Sequence, residues 1–282
     1  MDKNKITNKS VADYYDSTIP WYWIHHGPSN GLHFGYHDET TKNHFDEIIN
    51  TNRVLAQTAG IKKGELVLDA GCGIGGSAIW LAKNCQARVI GITLSQKQLI
   101  KAEGLGKKNK VKDKIQFFLM DYLNTTFQDN TFDVVWAIES VCYAKNKIDF
   151  LKEAYRILKK NGRLVVHDGF LKRLPATKEE QSKLDTMYKG FLLDNVPTAT
   201  SFQADIKKAG FRNVKVWDKR QAILGSVNRV NILCRLGYPI IYALNKLGLI
   251  PIIIKENLET GMAIHYIVKH HLGNIFLFYG EK

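Results

Sequence analysis

The 282-residue chain predicts an α/β fold, a Rossmann-like, seven-stranded, mostly parallel sheet with helices on both faces, plus N-terminal and helical C-terminal cap segments. Three observations carry this reading. From residue 65 onward, short β-rich runs alternate with amphipathic stretches, the pattern of parallel strands joined by crossover helices. A glycine-rich loop, Leu68–Gly76 (LDAGCGIGG), closes the first of these runs and opens a helix. The composition, 45% hydrophobic and 24% charged, suits a globular chain rather than a disordered one.

Taken in order, residues 1–60 are rich in Tyr, Trp and His and read as an N-terminal helical cover that contributes to the site. The core, 61–221, contains strand candidates at Glu65–Asp69, Ala87–Ile92, Ile115–Met120, Phe132–Ile138 and Gly162–Asp168. Between the last two, Lys147–Lys159 places Ile148, Leu151, Tyr155 and Leu158 at helical spacing. A helix ending at Gly210 leads to a strand at Asn213–Asp218, and residues 273–282 supply the last core strand, Asn274–Tyr279. Those two strands are expected to pair antiparallel at the sheet edge. Residues 222–272 carry the apolar run GYPIIYALNKLGLIPIII, interrupted by Pro239, Asn245, Lys246 and Pro251. Such a run makes a poor membrane span and fits a helical substrate cap inserted in the core.

The N-terminus has neither the apolar core of a secretory signal nor an Arg-rich transit pattern, so a cytoplasmic location is expected. Cys72, Cys85, Cys142 and Cys234 show no metal-ligand spacing, so no metal is expected. The net charge of +13 is spread along the chain. Its densest run, Lys107–Lys114, falls where a helix should end, a favourable place for lysines. A solvated basic face is therefore preferred to a nucleic-acid patch, which a steep salt dependence of RNA or DNA binding would reveal.

Glycines at 71, 73 and 76 satisfy the spacing of a dinucleotide loop, where missing side chains let backbone approach a ligand. Two neighbours favour S-adenosylmethionine over a nicotinamide cofactor. Asp69 sits where a pyrophosphate would be repelled but an ammonium held. The next strand ends in GITLS followed by Gln98, without the acid that grips a nicotinamide ribose, so Thr93 and Gln98 offer neutral hydrogen bonds instead.

These residues resemble the class I S-adenosylmethionine-dependent methyltransferases, within them the branch of sterol side-chain, tocopherol and terpenoid-diphosphate C-methyltransferases. The resemblance runs from about residue 10 to 220 and rests on Tyr14–Asp16 (YYD), His33–Gly35 (HFG), LDAGCGIGG, Phe127–Ala144 (FQDNTFDVVWAIESVCYA) and Glu153–Leu164 (EAYRILKKNGRL). GITLSQKQ also resembles a segment of cyclopropane fatty-acid synthases. LKKNG replaces the family's usual Lys-Pro-Gly turn, the fifth strand ends in His167-Asp168 where the sterol enzymes carry an acidic-aromatic pair, and 222–272 matches no substrate region of the family.

The resemblance implies a cofactor site formed by Asp69, Gly71, Gly73, Gly75, Thr93, Leu94, Gln98, Asp121 and Tyr122, with Asp121 accepting from the adenine amino group. It implies carbon methylation of a small hydrophobic or prenyl-diphosphate-like acceptor, with peripheral membrane contact compatible and nucleic acid disfavoured. The rival reading is an O- or N-methyltransferase of a small secondary metabolite. Methylating an alkene leaves a cation that must lose a proton, so Glu139, at the end of the fourth strand, is the candidate base; the alternative is that it orients a neighbour. Tyr15 belongs to an aromatic group (Tyr14, Tyr15, Trp21, Tyr22, Trp23, Phe34, Tyr36) suited to attracting a cation without offering a nucleophile. His25, His26, His33 and His167 are candidate bases for heteroatom chemistry, His167 foremost by its strand-end position.

Overall fold

The computed structural model describes residues 6–26 and 30–282, with side chains for 6–18 and 30–282. Helix α1 (Asn8–His26) and α2 (His44–Ala59) precede the alternating core: β1 (Leu66–Ala70), α3 (Gly76–Asn84), β2 (Arg88–Thr93), α4 (Gln96–Lys108), β3 (Ile115–Leu119), β4 (Phe132–Ile138), α5 (Lys147–Ile157) and β5 (Leu158–Leu171). Helices α6 (Lys178–Phe191) and α7 (Ala199–Lys208), strand β6 (Arg212–Asp218), helices α8 (Arg220–Lys246) and α9 (Ile252–Lys269), and strand β7 (Gly273–Glu281) complete the chain.

The sheet order is β3-β2-β1-β4-β5-β7-β6. Strands β1 to β5 run parallel, and β7 inserts antiparallel between β5 and β6. Successive side chains go to opposite faces. Val67, Val134, Trp136, Val165 and Leu277 pack beneath α2, α3, α8 and α9, whereas Leu68, Val135, Ala137, Val166 and Phe278 pack beneath α5 and α7. Both faces are covered, which is why the central strands read as nearly unbroken apolar runs.

Two boundaries differ from the sequence expectation. Helix α5 stops at Ile157, because Leu158 pairs with Phe132 and begins a long β5 that turns at Asn161 (φ 62°) before Gly162. Burial against β4 outweighs the helical spacing of Leu158. The 222–272 segment is a helical hairpin whose first arm continues through Pro239 and breaks only at Leu247–Pro251. Proline removes one hydrogen bond, and both Pro239 and Arg235, whose carbonyl loses its donor, are exposed to water. Ile223, Val227, Ile264 and Val268 of this hairpin belong to the main core.

On the opposite face, Phe170 stacks on Phe202 at 4.5 Å, and both rings lie 4.9 Å from Phe278. Phe278 is wholly buried on β7, the strand that joins the parallel sheet to its edge. Replacing Phe278 by Ala is expected to lower the unfolding free energy by about 3–5 kcal/mol, read from urea denaturation followed by circular dichroism. A loss below ~1 kcal/mol would show that the cluster collapses to fill the space.

Candidate active site

The strand order reverses between β1 and β4, so the crevice beyond their carboxyl ends is the natural ligand position. The glycine loop is pressed against the end of β4. Ser140 Oγ donates to the Ala70 carbonyl at 2.6 Å, and a Cβ on Gly71 (φ 85°) would lie 2.4 Å from Ser140 Cβ. At Gly73 (φ 53°) the nearest atom to such a Cβ is Leu32 Cδ1, 3.7 Å away, on the cavity side.

Asp69, Thr93, Leu94, Gln98, Tyr122 and Tyr15 line this crevice together with Gly71 and Gly73. Thr93 donates its hydroxyl to Gln98 Oε1 at 2.6 Å, which fixes the side-chain amide. The Ser95 hydroxyl, which caps α4, donates to Asp16 of α1 and ties the N-terminal helix over the cavity. Burial pushes the Asp69 carboxyl up to about 7, against the opposing pull of the Ala78 N–H, and one of its oxygens is buried without a hydrogen-bond partner. A carboxyl in that state is ready for a cationic group.

Two expected cofactor residues are placed differently. Gly75 caps α3, and a Cβ there would meet Phe117 and Ala102 rather than the crevice, so Gly76 takes its place in the lining. Asp121 lies beside the lining, its carboxylate accepting from the Asn8 side-chain amide at 2.6 Å and the Leu123 N–H at 2.8 Å. Position at a strand end does not by itself aim a side chain inward.

A second, larger and mainly apolar cavity of about 230 Å³ adjoins the first, and Tyr15, Leu32, His33, Glu139 and Tyr143 line both. Its far walls come from α6 (Met187, Phe191) and the α8–α9 hairpin (Val230, Cys234, Ile254, Leu258). Glu139 directly follows β4 in a left-handed conformation (φ 45°), uncommon for a residue with a Cβ, and its N–H donates to the His167 carbonyl at 2.7 Å. Its carboxyl accepts from the Phe34 N–H at 2.8 Å, so the loop after α1 and the sheet hold it from two sides. Burial drives its pKa well above the usual carboxylate range, a shift the Phe34 bond opposes and the nearby Asp168 reinforces.

Asp168 lines the same cavity and accepts from the N–H groups of Cys142 (2.9 Å) and Gly169 (2.7 Å); burial raises it to about 6, with these bonds pulling it down. Two carboxyls with different surroundings thus share one apolar chamber. Tyr15 donates to Tyr143 at 3.2 Å, and their rings pack edge to face at the junction of the cavities.

The expectation that His167 faces the crevice is corrected. It is wholly buried, lines neither cavity, and touches Glu139 from behind, Nδ1 lying 3.6 Å from Oε1. Burial holds it well below its ordinary pKa and therefore neutral. The alternation of β5 explains the reversal, since Asp168, one residue on, points to the chamber. His33, the histidine that does line the cavities, is held by burial at about 4 and is neutral as well. Phe34 faces the second cavity, Tyr36 is buried beneath His167 at 5.1 Å between rings, and Tyr14 donates to Asn257 of α9. The side chains of Trp21, Tyr22, Trp23, His25 and His26 lie outside the described residues. Asp168, which closes the strand expected at Gly162–Asp168, and Tyr143, in the turn that follows β4, were not singled out as site residues by sequence reasoning.

Known proteins match this arrangement. Residues 68–166 match the family described as a methyltransferase domain. The chain is 31% identical over 209 residues to the sterol 24-C-methyltransferase of Saccharomyces cerevisiae, covering 73% of this chain and 52% of that one. It is 30% identical over 191 residues to the 27-O-demethylrifamycin SV methyltransferase of Amycolatopsis mediterranei, covering 67% and 70%. The chain therefore spans about half the length of the yeast relative. A cyclopropane synthase from Mycobacterium tuberculosis shares the fold over 100% of both chains, with a TM-score of 0.85 at 15% identity. Fold, glycine loop and relatives together define a group-transfer enzyme of the Rossmann-like class. The chain belongs to the S-adenosylmethionine-dependent methyltransferases.

Two outcomes follow for the loop. Gly71→Ala should abolish binding of S-adenosylhomocysteine in calorimetry, because the added carbon has no room beside Ser140, whereas Gly64→Ala, equally strained (φ 82°) but in open space, should bind normally. Equal affinities in the two variants would remove the loop from the site. Holding the ligand's ammonium requires Asp69 ionised, and its carboxyl is raised to about 7, so binding should release a proton and tighten as pH rises from 5.5 toward 8. The limiting slope is roughly tenfold per pH unit below that pKa, and Asp69→Asn should bind more weakly with a flattened profile. A wild-type affinity independent of pH would contradict this role.

Proposed function

We propose that the protein transfers a methyl group from S-adenosylmethionine to an alkene carbon of a prenyl-, terpenoid- or sterol-like lipid. The observation that carries this reading is Glu139, a half-buried carboxyl at the mouth shared by the crevice of the glycine loop and the larger apolar chamber. Asp69, the loop backbone, Thr93 and Gln98 fit the amino-acid and ribose ends of the cofactor: a partnerless buried carboxylate oxygen suits an ammonium, and the side-chain-free face at Gly73 suits close backbone approach. When bound there, the cofactor supplies an electrophilic methyl group on a sulfonium.

The chain's own residues do the rest. The apolar chamber aligns the acceptor and excludes water, which would otherwise quench a cation on it. The ring faces of Tyr15 and Tyr143 attract positive charge without reacting with it. Asp168, stabilised by two backbone N–H groups, is the lasting counter-charge. Glu139, which accepts a single backbone N–H, from Phe34, is the proton acceptor for the methylated carbon's neighbour. The Phe34 N–H on the carboxyl and the bond from the Glu139 N–H to the His167 carbonyl keep Glu139 in place, so His167 contributes its backbone rather than acting as a base. Among the described residues the chamber lining contains no Lys or Arg, which favours a hydrocarbon or neutral lipid there over a diphosphate head group.

Similarity to the rifamycin methyltransferase, whose name denotes an oxygen acceptor, supports a second reading, methylation of a heteroatom with neutral His33 as base. Glu139→Gln separates the two. For carbon methylation it should leave cofactor affinity intact and lower kcat by about a hundredfold or more, with hydrated or rearranged by-products visible by mass spectrometry. For a heteroatom acceptor it should mainly raise KM. Since the base must be ionised and its pKa is raised, wild-type kcat/KM should climb with pH through a value above the ordinary glutamate range, and that limb should vanish in the variant. An unchanged kcat and product would exclude Glu139 from the chemistry.

A further inference from the structure

Helix α8 is apolar on two opposite faces. Ile223, Val227, Cys234 and Ile241 are buried, as a helix packed on a core requires. Ile232, Leu233, Leu236 and Ile240, three to four residues apart on the other side, are exposed, Leu236 at 72% and Ile240 at 65%. The stripe continues past the helix end through Leu247 (71%) and Leu249 (66%) to Ile252, the start of α9. An apolar surface of this length is not left facing water on a freely soluble chain without a counterpart.

The charge around it selects the counterpart. From Arg220 to Lys255 the sequence has Arg220, Arg229, Arg235, Lys246 and Lys255 and no Asp or Glu. Arg235 and Lys246 are exposed and make no salt bridge among the described residues, and Lys246 lies 5.0 Å over the ring of Tyr242. The acids that flank this stretch along the chain, Asp218, Glu256 and Glu259, are paired with Lys172 (3.4 Å), Lys189 (2.9 Å) and Lys255 (2.7 Å). Long cationic side chains flanking an apolar stripe suit a bilayer interface, where stems lie among acyl chains and charges reach anionic head groups. No helix of the described residues is long and apolar enough to cross a membrane.

We propose that the α8–α9 hairpin docks on the surface of an anionic phospholipid bilayer through Leu236, Ile240, Leu247 and Leu249, with Arg235 and Lys246 at the head groups. The inner side of the same hairpin walls the apolar chamber through Val230, Cys234, Ile254 and Leu258. Docking thus brings the chamber to the phase in which a lipid acceptor is dissolved; that second part rests on the function proposed above, whereas docking itself does not.

Flotation of the full chain with vesicles tests docking without any turnover. The protein should float with vesicles of equal parts phosphatidylcholine and phosphatidylglycerol, much less with phosphatidylcholine alone, and high salt should weaken the association. The triple variant L236E/I240E/L249E should lose flotation by tenfold or more while binding S-adenosylhomocysteine like the wild type. The double variant R235E/K246E, which leaves the apolar stripe in place, should lose the preference for the anionic vesicles. Flotation of a protein that methylates no lipid would support docking and count only against the proposed reaction. Absence of wild-type flotation, or equal flotation of the triple variant, would overturn docking. So would light scattering that shows a stable dimer which the triple variant turns into monomers, since the stripe would then be an interface between copies of this chain.

Discussion

The reversal of strand order between β1 and β4 is the constraint on which the rest of the molecule depends. Adjacent parallel strands whose following segments leave toward opposite faces open a gap at their carboxyl ends. Here the gap is closed on one side by the glycine loop and on the other by Ser140, whose hydroxyl reaches the Ala70 carbonyl. Gly71 has no side chain because Ser140 occupies that space. Glu139 takes a left-handed backbone conformation at the same place, so one turn aims a carboxyl toward both cavities while its N–H stays bonded to β5.

Electrostatics in this gap follow from incomplete compensation of burial. Asp69, Glu139 and Asp168 are all raised, each by desolvation first; Asp69, opposed by one backbone N–H, lies at about 7, and Asp168, opposed by several, at about 6. A protonated acid buried in this way costs the folded protein little below the ordinary carboxylate range and more as pH rises from there toward its raised pKa, above which the full cost is in place, so the empty site is least comfortable where the acids ionise. A cationic ligand offsets that cost. Stability and ligand recognition are therefore coupled through the same carboxyls.

The C-terminal hairpin shows how one element serves two environments. Its inner face shares the main core through Ile223, Val227, Ile264 and Val268 and also bounds the larger cavity. Its outer face keeps apolar residues exposed. A helix that carried only the first task would have a polar outer face, as α6 has with its Lys and Glu residues.

The local chain determined much of this protein. Apolar runs of strand length between amphipathic stretches set the parallel sheet, because strands covered on both faces must be apolar throughout, and LDAGCGIGG located the crevice because few functions need three such glycines after a first strand. That Asp69, Thr93 and Glu139 stand at or beside strand ends, and Gln98 at the start of the next helix, was legible as well, and these positions line the crevice. Which strand-end side chains point inward was decided only by the tertiary structure. His167 and Asp168 are neighbours with opposite fates, Gly75 faces Phe117, and Leu158 leaves its helix to pair with Phe132. The alternation of a strand is visible in sequence, but its phase relative to a cavity depends on what packs on each face, and those partners, Phe34, Tyr36 and the α8–α9 hairpin, come from distant parts of the chain.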